Sequence, residues 1–218
     1  MSQPFILSVE TATLSGSVAV SRGDEIVGVI AGDASVSHSN TLLVDVDKVL
    51  TETQIALKEI DLFAVATGPG SFTGLRIGIA TIKALAATLD RPVVGIPTLE
   101  AVALSGGVSA ESVALLPAGR GEVFAQLFSV LGPDLVEPLD KAAHIAPARL
   151  FERYGDLETV TWCGEGAMAN HVLITDWAAN RDWTIAPPTN DLASHVAKLA
   201  FARFKLNQFD NPFALRAI

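Results

Sequence analysis

FILSVETATLSGSVAVSRGDEIVGVI, residues 5–30, contains three short apolar runs separated by turn signals. The first run, residues 5–9, is almost continuously apolar, which is typical of a buried strand. Residues 17–20 begin a second strand, and residues 26–30 form a third after an Arg-Gly-Asp turn at residues 22–24. Three strands joined by short connections predict a meander at the start of the fold.

The elements that follow alternate between helix and strand. Polar side chains at residues 38–41 can cap a helix, and residues 61–66 return as a strand. Residues 73–89 form a second helix, and residues 93–96 form a further strand. Three meander strands followed by helix, strand, helix and strand is the element order of a ribonuclease-H-like lobe.

A related pattern restarts in the second half of the chain. Gly16-Ser-Val-Ala-Val and Gly121-Glu-Val-Phe-Ala open the second strand of each half, which indicates an internal duplication. The sequence therefore predicts an α/β protein of two ribonuclease-H-like lobes, the actin-like ATPase (ASKHA) architecture. We expect the first lobe at residues 1–105 and a smaller, degenerate second lobe at residues 106–218. Whether a closing helix near residues 190–206 packs back on the first lobe stays open.

The composition limits the classes of function. Net charge is −9 at pH 7, whereas a protein that clamps nucleic acid directly presents a basic face to the phosphates. Half of the residues are apolar, which fits either a large core or apolar surface covered by another subunit. Cys163 is the only cysteine, so an intrachain disulfide is excluded. The apolar stretch at residues 77–89 contains Lys83 and is short for a bilayer, so we expect a cytoplasmic protein without membrane contact.

The helix at residues 73–89 is apolar on two sides. Two stripes run along it at helical spacing, Leu75, Ile79, Ile82, Ala86 and Leu89 on one side and Ile77, Ala80, Ala84 and Ala87 on the other. One stripe is expected to face the sheet. Small residues in the other would let a second helix approach closely, and that helix could belong to this chain or to another subunit.

The most distinctive motif is Gly68-Pro-Gly-Ser-Phe-Thr-Gly-Leu-Arg-Ile-Gly78, which follows a strand and opens a helix. It lacks the Gly-Lys-Ser/Thr of a P-loop, and its G-x-G-x-x-x-G spacing is one residue longer than a dinucleotide fingerprint. The motif fits a phosphate-facing loop, a contact surface, or a tight turn with Ser71 or Thr73 as the helix cap. If the loop faces an anion, the residues concerned are Glu10 and Thr11 after the first strand, with Gly68, Gly70, Ser71, Thr73 and Arg76.

No arrangement of residues for nucleophilic or metal catalysis stands out. The histidines are dispersed and form no metal-spaced pair: His38, His144, His171 and His195. A G-x-S-x-G elbow is absent, and Cys163 has no cation near it in sequence, which favours a buried structural thiol. We predict no catalytic residue and no metal site.

Together these motifs resemble the TsaB family, also called YeaZ. The likeness rests on ILSVETA at residues 6–12, on His38-Ser39-x-x-Leu42-Leu43 and on the glycine motif. It continues through PVVGIPTLE at residues 92–100 and GEVF at residues 121–124. The resemblance implies the actin-like two-lobe fold and a part in forming N6-threonylcarbamoyladenosine at position 37 of tRNAs that read ANN codons.

The resemblance also implies that catalysis lies in another subunit. TsaD, the catalytic paralogue, holds a metal with a His-x-x-x-His pair and uses threonylcarbamoyl-AMP. In this chain the pair falls on Thr98 and Val102, which cannot bind the metal as two histidines do. We therefore expect a non-enzymatic partner subunit. A nucleotide-binding module and, from a historical glycoprotease label, a peptidase are the alternatives.

The family also implies the partners. We expect a heterodimer with TsaD, recruitment of TsaE, contact with the threonylcarbamoyl-AMP synthase TsaC, a homodimer when the chain is alone, and only indirect contact with tRNA. The isolated chain is expected to hold no cofactor, and any ATP or ADP would bind at the joint with partners. Helices of the first lobe would form the interface, through His38, Leu42, Leu43, Val46, Val49, Leu50, Leu75, Ile79, Ile82 and Ala86.

Overall fold

The computed structural model describes residues 3–32, 38–178 and 181–218. The chain divides into two compact units, one of residues 1–98 with 190–218 and one of residues 99–189. This division differs from the boundary at residue 105 that the sequence suggested. The closing helix is the main reason, because it packs on strands of the first unit, the option that the sequence left open.

The strands are β1 (Phe5–Glu10), β2 (Ser17–Arg22), β3 (Glu25–Ala31), β4 (Leu62–Gly68), β5 (Val93–Pro97), β6 (Ser109–Gly119), β7 (Glu122–Gly132), β8 (Leu135–Pro138), β9 (Ala143–Ile145), β10 (Thr159–Cys163) and β11 (Asp182–Ile185). The helices are α1 (His38–Thr53), α2 (Phe72–Leu89), α3 (Thr98–Ser105), α4 (Leu150–Tyr154), α5 (Glu165–Ala169), α6 (His171–Trp177) and α7 (Ala193–Lys205). Short 3-10 turns lie at Leu57–Glu59 and Pro147–Arg149. The sequence did not indicate α3, β9, α5, α6 or β11.

The first unit contains a five-stranded mixed sheet in the order β3-β2-β1-β4-β5. The predicted meander is present, since β1, β2 and β3 pair antiparallel, and β4 and β5 continue the sheet parallel to β1. Central strands β1 and β4 are buried almost throughout, which explains their continuously apolar sequences.

Helices cover both faces of this sheet. Leu7 and Val9 of β1 belong to the apolar core that α1 and α2 complete. Ser8 lies between them and therefore points to the opposite face. Its hydroxyl donates a hydrogen bond to Ala193 O at 2.9 Å, at the start of α7. Thus α1 and α2 lie on one face and α7 on the other.

The second unit contains a six-stranded sheet in the order β11-β10-β6-β7-β8, with β9 beside β7. Its first strands β6, β7 and β8 pair antiparallel, β10 is parallel to β6, and β11 is parallel to β10. This strand order repeats that of the first unit. The predicted duplication and the two-lobe actin-like fold are therefore confirmed. An aromatic core fills this unit, where Trp162 makes edge contacts with Tyr154 and Trp183.

Among the described residues, α2 alone has the length and composition of a membrane-crossing helix, with a mean hydropathy of 1.3 over 18 residues. Leu75, Ile79 and Ile82 on its sheet side are buried inside the first unit. The core helix of a globular unit passes the same test, so α2 is only weak evidence for a membrane span.

Candidate functional site

Glu10 ends β1, at the position where the sequence suggested an anion-facing carboxylate. The residue is 1% exposed. Its Oε1 accepts hydrogen bonds from the backbone N–H groups of Ala12 and Thr13, the second at 2.7 Å, and its Oε2 accepts from Thr13 Oγ1 at 2.7 Å. The carboxylate therefore stabilises the turn that follows its own strand.

This turn is hydrogen-bonded to the beginning of α2. Thr11 Oγ1 donates to Gly74 O at 2.8 Å, and Ser71 N donates to Ala12 O at 2.8 Å. Thr11 is 2% exposed, so its hydroxyl lies inside the contact. We refer to residues 10–13 and 68–74 as the loop pair.

Two glycines allow the two segments at this site to pack closely together. A Cβ on Gly70 would lie 2.6 Å from Ala12 O, and a Cβ on Gly78 would collide with the hydroxyl of Thr11. Gly70 also has a φ of +155°, a backbone conformation that other residues rarely adopt. Close approach of two backbone segments thus explains these glycines without a bound phosphate.

Ser71 caps α2, which was one of the two predicted caps. Its Oγ accepts a hydrogen bond from Gly74 N at 3.2 Å, and its own N–H is bonded within the loop pair. Of the residues predicted to face an anion, Ser71, Thr73 and Arg76 have exposed side chains. The Arg76 guanidinium lies 5.3 Å from the centre of the Phe72 ring. The backbone N–H of Ser71 donates to Ala12 O and that of Gly74 donates to Ser71 Oγ, so both donors are used within the loop pair.

Thr98 occupies the position at which the resemblance placed the first metal-binding histidine. It is fully buried, and its Oγ1 accepts a hydrogen bond from Gly68 N at 3.0 Å. Val102, at the second position, is 2% exposed. Within the part of the chain that the structure describes, no group of three or more His, Cys, Asp or Glu residues could hold a metal ion.

The interface residues predicted on α1 and α2 mostly lie in the interior of the first unit. This holds for Leu42, Val46, Val49, Leu50, Leu75, Ile79, Ile82 and Ala86, each at most 9% exposed. Helical periodicity identified residues that share a face, but that face packs on the chain's own sheet. These residues are not available to a partner, which corrects the predicted contact set. Leu43 remains exposed, and the side chain of His38 lies outside the described residues.

Other residues of the same two helices are exposed, and we name this set the α1–α2 face: Leu43, Val44, Ala80, Ala84 and Ala87. Leu43 and Val44 are 64% and 63% exposed. The three alanines lie on one side of α2, and α1 packs beside α2. Of the second stripe predicted for α2, Ala80, Ala84 and Ala87 are exposed, whereas Ile77 packs against the apolar core of the first unit. The stripe pattern gave no reason to select Val44.

Cys163 is fully buried, as the sequence predicted. Its Sγ lies 3.5 Å from Thr161 O, and burial raises the pKa of the thiol to about 12. A thiol in this state is not a nucleophile near neutral pH.

These features can be compared with known proteins. The model of the family TsaD, tRNA N6-adenosine threonylcarbamoyltransferase, matches residues 14–203. The tRNA threonylcarbamoyladenosine biosynthesis protein TsaB of Bacillus subtilis is 30% identical over 124 residues, which cover 56% of this chain and 54% of that protein. TsaB of Escherichia coli is 34% identical over 122 residues, which cover 55% of this chain and 52% of that protein. The matches span about half the length of these curated relatives.

Solved structures share the fold. YeaZ from Pseudomonas aeruginosa aligns over 99% of both chains with a TM-score of 0.81 and 21% identity. An activator of 2-hydroxyisocaproyl-CoA dehydratase from Clostridium difficile, with bound ADPNP, aligns over 94% of this chain and 97% of that chain, with a TM-score of 0.55 and 12% identity. At these identities the likeness concerns the fold alone.

Proposed function

We propose that this chain is a partner subunit in tRNA threonylcarbamoyladenosine synthesis. The proposal starts from the family: the chain belongs to the TsaD family and, within it, to the TsaB (YeaZ) group. In this role the chain binds the catalytic paralogue TsaD and supplies no catalytic residue. The product is N6-threonylcarbamoyladenosine at position 37 of tRNAs that read ANN codons. The exposed α1–α2 face is the observation that carries the proposal.

The α1–α2 face suits contact between helices. Ala80, Ala84 and Ala87 project only a methyl group, so a partner helix can pack at an interaxial distance of about 8–10 Å. Leu43 and Val44 would lose contact with water on docking, at roughly 25 cal/mol per Å² of apolar area. A standard interface buries about 800 Å² on each partner, so this face would form the centre of a larger contact. TsaD would present its equivalent helices, and a second copy of this chain would do so when TsaD is absent.

Three observations support a role without catalysis. Thr98 is engaged with Gly68 N, and neither Thr98 nor Val102 offers an imidazole to a metal. The thiol of Cys163 is buried, which weighs against a peptidase. The carboxylate of Glu10 is hydrogen-bonded within its own turn, which weighs against an autonomous nucleotide-binding module.

Charge supports an indirect relation to tRNA. At a net charge of −9 the chain repels phosphates, so the tRNA would be held by the other subunits. In the assembly that we propose, TsaE is recruited to the complex, TsaC supplies threonylcarbamoyl-AMP, and ATP or ADP binds at the joint between subunits.

Reconstitution tests this function. The chain is mixed with cognate TsaD, TsaE, the threonylcarbamoyl-AMP synthase and unmodified tRNA, and the modified nucleoside is quantified by mass spectrometry. We expect product from the complete mixture, almost none when the chain is left out, and none from the chain alone. Unchanged modification without the chain, or transfer by the chain alone, would contradict the proposal.

A further inference from the structure

The two units differ in the helix that follows their first three strands. In the first unit α1 has 16 residues and packs on β2 and β3, where Val46 and Val49 enter the apolar core. The second unit repeats the strand order, with β7 and β8 in the places of β2 and β3. Its corresponding connection, between β8 and β10, contains α4, a helix of five residues. The duplication thus preserves the strands and shortens the helix that covers them.

The shorter helix leaves leucines of the β7–β8 hairpin exposed. Leu127 of β7 packs against the aromatic core of the second unit, so it points to the face that α4, α5 and α6 cover. Leu139 N donates to Leu127 O at 2.9 Å, which places Leu139 opposite Leu127 on the same face. Leu135 shares this face by the alternation of side chains along a strand. Both remain in contact with water, Leu135 at 49% exposure and Leu139 at 51%.

The equivalent surface of the first unit is closed. Ile30 of β3 is 9% exposed and belongs to the apolar core that α1 completes. In the second unit Leu131, beside the hairpin turn, is 53% exposed, and we name Leu131, Leu135 and Leu139 the leucine patch. Neighbouring apolar side chains left in water on the core side of a sheet are typical of a surface that another element covers. The comparison with α1 indicates that this element is a helix.

Charge indicates the kind of helix. Residues 99–189 include twelve Asp and Glu and five Lys and Arg, so the second unit carries a net charge of −7 out of the −9 of the chain. Glu137 lies between Leu135 and Leu139 in sequence, opposite Ser129, and is exposed. A second copy of the chain would bring a second acidic surface to this contact, whereas a helix with lysine or arginine beside its apolar stripe would be attracted.

We propose that the leucine patch binds an amphipathic helix of a partner protein, whose apolar stripe packs on the leucines and whose basic residues flank that stripe. On the second sheet this helix would take the position that α1 has on the first. Docking of an amphipathic helix on an apolar surface is a recurring mode of recognition between proteins. The leucine patch and the α1–α2 face share no residue, so the inference does not rest on the proposed function.

Fluorescence anisotropy of a labelled model peptide, titrated with the full chain, tests this inference. The probe is a peptide of leucine and lysine with the 16-residue length of α1 and its leucines at helical spacing. A scrambled peptide of the same composition is the first control, because it has no apolar stripe. We expect saturable binding of the probe, and binding of the scrambled peptide that is weaker by about tenfold or more.

Substitutions in the leucine patch locate the bound peptide. In a chain with Leu135→Ser and Leu139→Ser the affinity for the probe should fall by about tenfold or more. The matched control carries Leu14→Ser and Leu206→Ser, which change two exposed leucines of the first unit, and it should bind as the wild type does. None of these substitutions changes the net charge, so the electrostatic attraction of the peptide is the same in all three chains.

Two results with the peptides would overturn the assignment outright. One is the absence of saturable binding, and the other is equal binding of the probe and the scrambled peptide, which would reflect charge alone. Wild-type affinity in the chain with Leu135→Ser and Leu139→Ser would place the peptide elsewhere and overturn it as well.

Sedimentation of the chain without peptide tests the remaining occupant, a second copy. A dimer that Leu135→Ser and Leu139→Ser dissociate would show that a second copy covers the leucine patch, and it would overturn the partner helix. A monomer, or a dimer that persists in the substituted chain, supports the assignment.

Discussion

Thr98 Oγ1 accepts a hydrogen bond from Gly68 N at 3.0 Å, and both residues are buried. Gly68 ends β4 and Thr98 follows β5, its parallel neighbour, so the bond joins the ends of two adjacent strands. The family resemblance places a metal-binding histidine at this position in TsaD. Here a hydroxyl group instead holds the backbone that leads into α2, the helix that bears part of the proposed docking face.

Thr98→Val tests the contribution of this bond. Valine has nearly the same shape but no acceptor, so Gly68 N would be buried without a partner. We expect the free energy of unfolding to fall by about 1–3 kcal/mol. Thr98→Ser keeps the hydroxyl and should lose less. Urea unfolding followed by circular dichroism measures both variants, and wild-type stability of Thr98→Val would show that the bond contributes nothing.

Gly78→Ala should destabilise the chain, although alanine is the better helix former. In an exposed helix this change would stabilise by about 1 kcal/mol. In α2 the added methyl group collides with the hydroxyl of Thr11, so we expect a loss of about 1–3 kcal/mol. Thr11→Ala in the same chain should relieve the collision. A double-mutant cycle checks this, and additive effects of the two changes would argue against the contact.

His195 should make the stability depend on pH. Burial lowers its pKa below the ordinary value, while its hydrogen bond to Asp191 O acts in the opposite direction. The unfolded chain therefore binds this proton more readily. The free energy of unfolding should fall as the pH drops below about 6.5 towards the folded pKa, and His195→Gln should remove this part of the change. Urea unfolding of the wild type and of His195→Gln between about pH 5.5 and 7.5 measures this dependence. If the free energy of unfolding changes equally with pH in both chains, His195 is not its cause.

Much of the first unit could be predicted from its sequence. The continuously apolar run of β1 and the turns around β2 predict the meander, because backbone pairing and burial follow local patterns. Ser71 was one of the two caps that the sequence offered for α2, because it stands just before the helix. The glycine motif was also recognised, but its reason was not, since the fit of Gly70 and Gly78 against the loop after β1 depends on residues far away in sequence.

The surface that we propose for docking was harder to predict. Ile79 and Ile82 share a helix face by periodicity, yet periodicity does not say whether that face meets the chain's own sheet or a partner. The position of Asp210 beside Gly95 depends on the return of the chain end to the first unit, and no local pattern encodes such a contact.

The thiol of Cys163 should be unreactive in the folded chain. It is fully buried, and its pKa is raised to about 12 by that burial, so almost no thiolate is present at pH 8. We expect slow modification by a disulfide reagent in buffer and rapid modification in urea. A native reaction as fast as that of the unfolded chain would show that the thiol is accessible.

Binding of TsaD to a chain with a charge on the α1–α2 face tests the proposed subunit role most directly. Ala84→Glu would place an unpaired carboxylate in the contact, whereas Ala142→Glu changes an exposed loop alanine of the second unit and is the matched control. Calorimetry with chains whose folding has been verified by circular dichroism gives both affinities. We expect at least tenfold weaker binding for Ala84→Glu and no change for Ala142→Glu, because an unpaired charge is costly to remove from water. Wild-type affinity of a folded Ala84→Glu chain would contradict the docking role of this face.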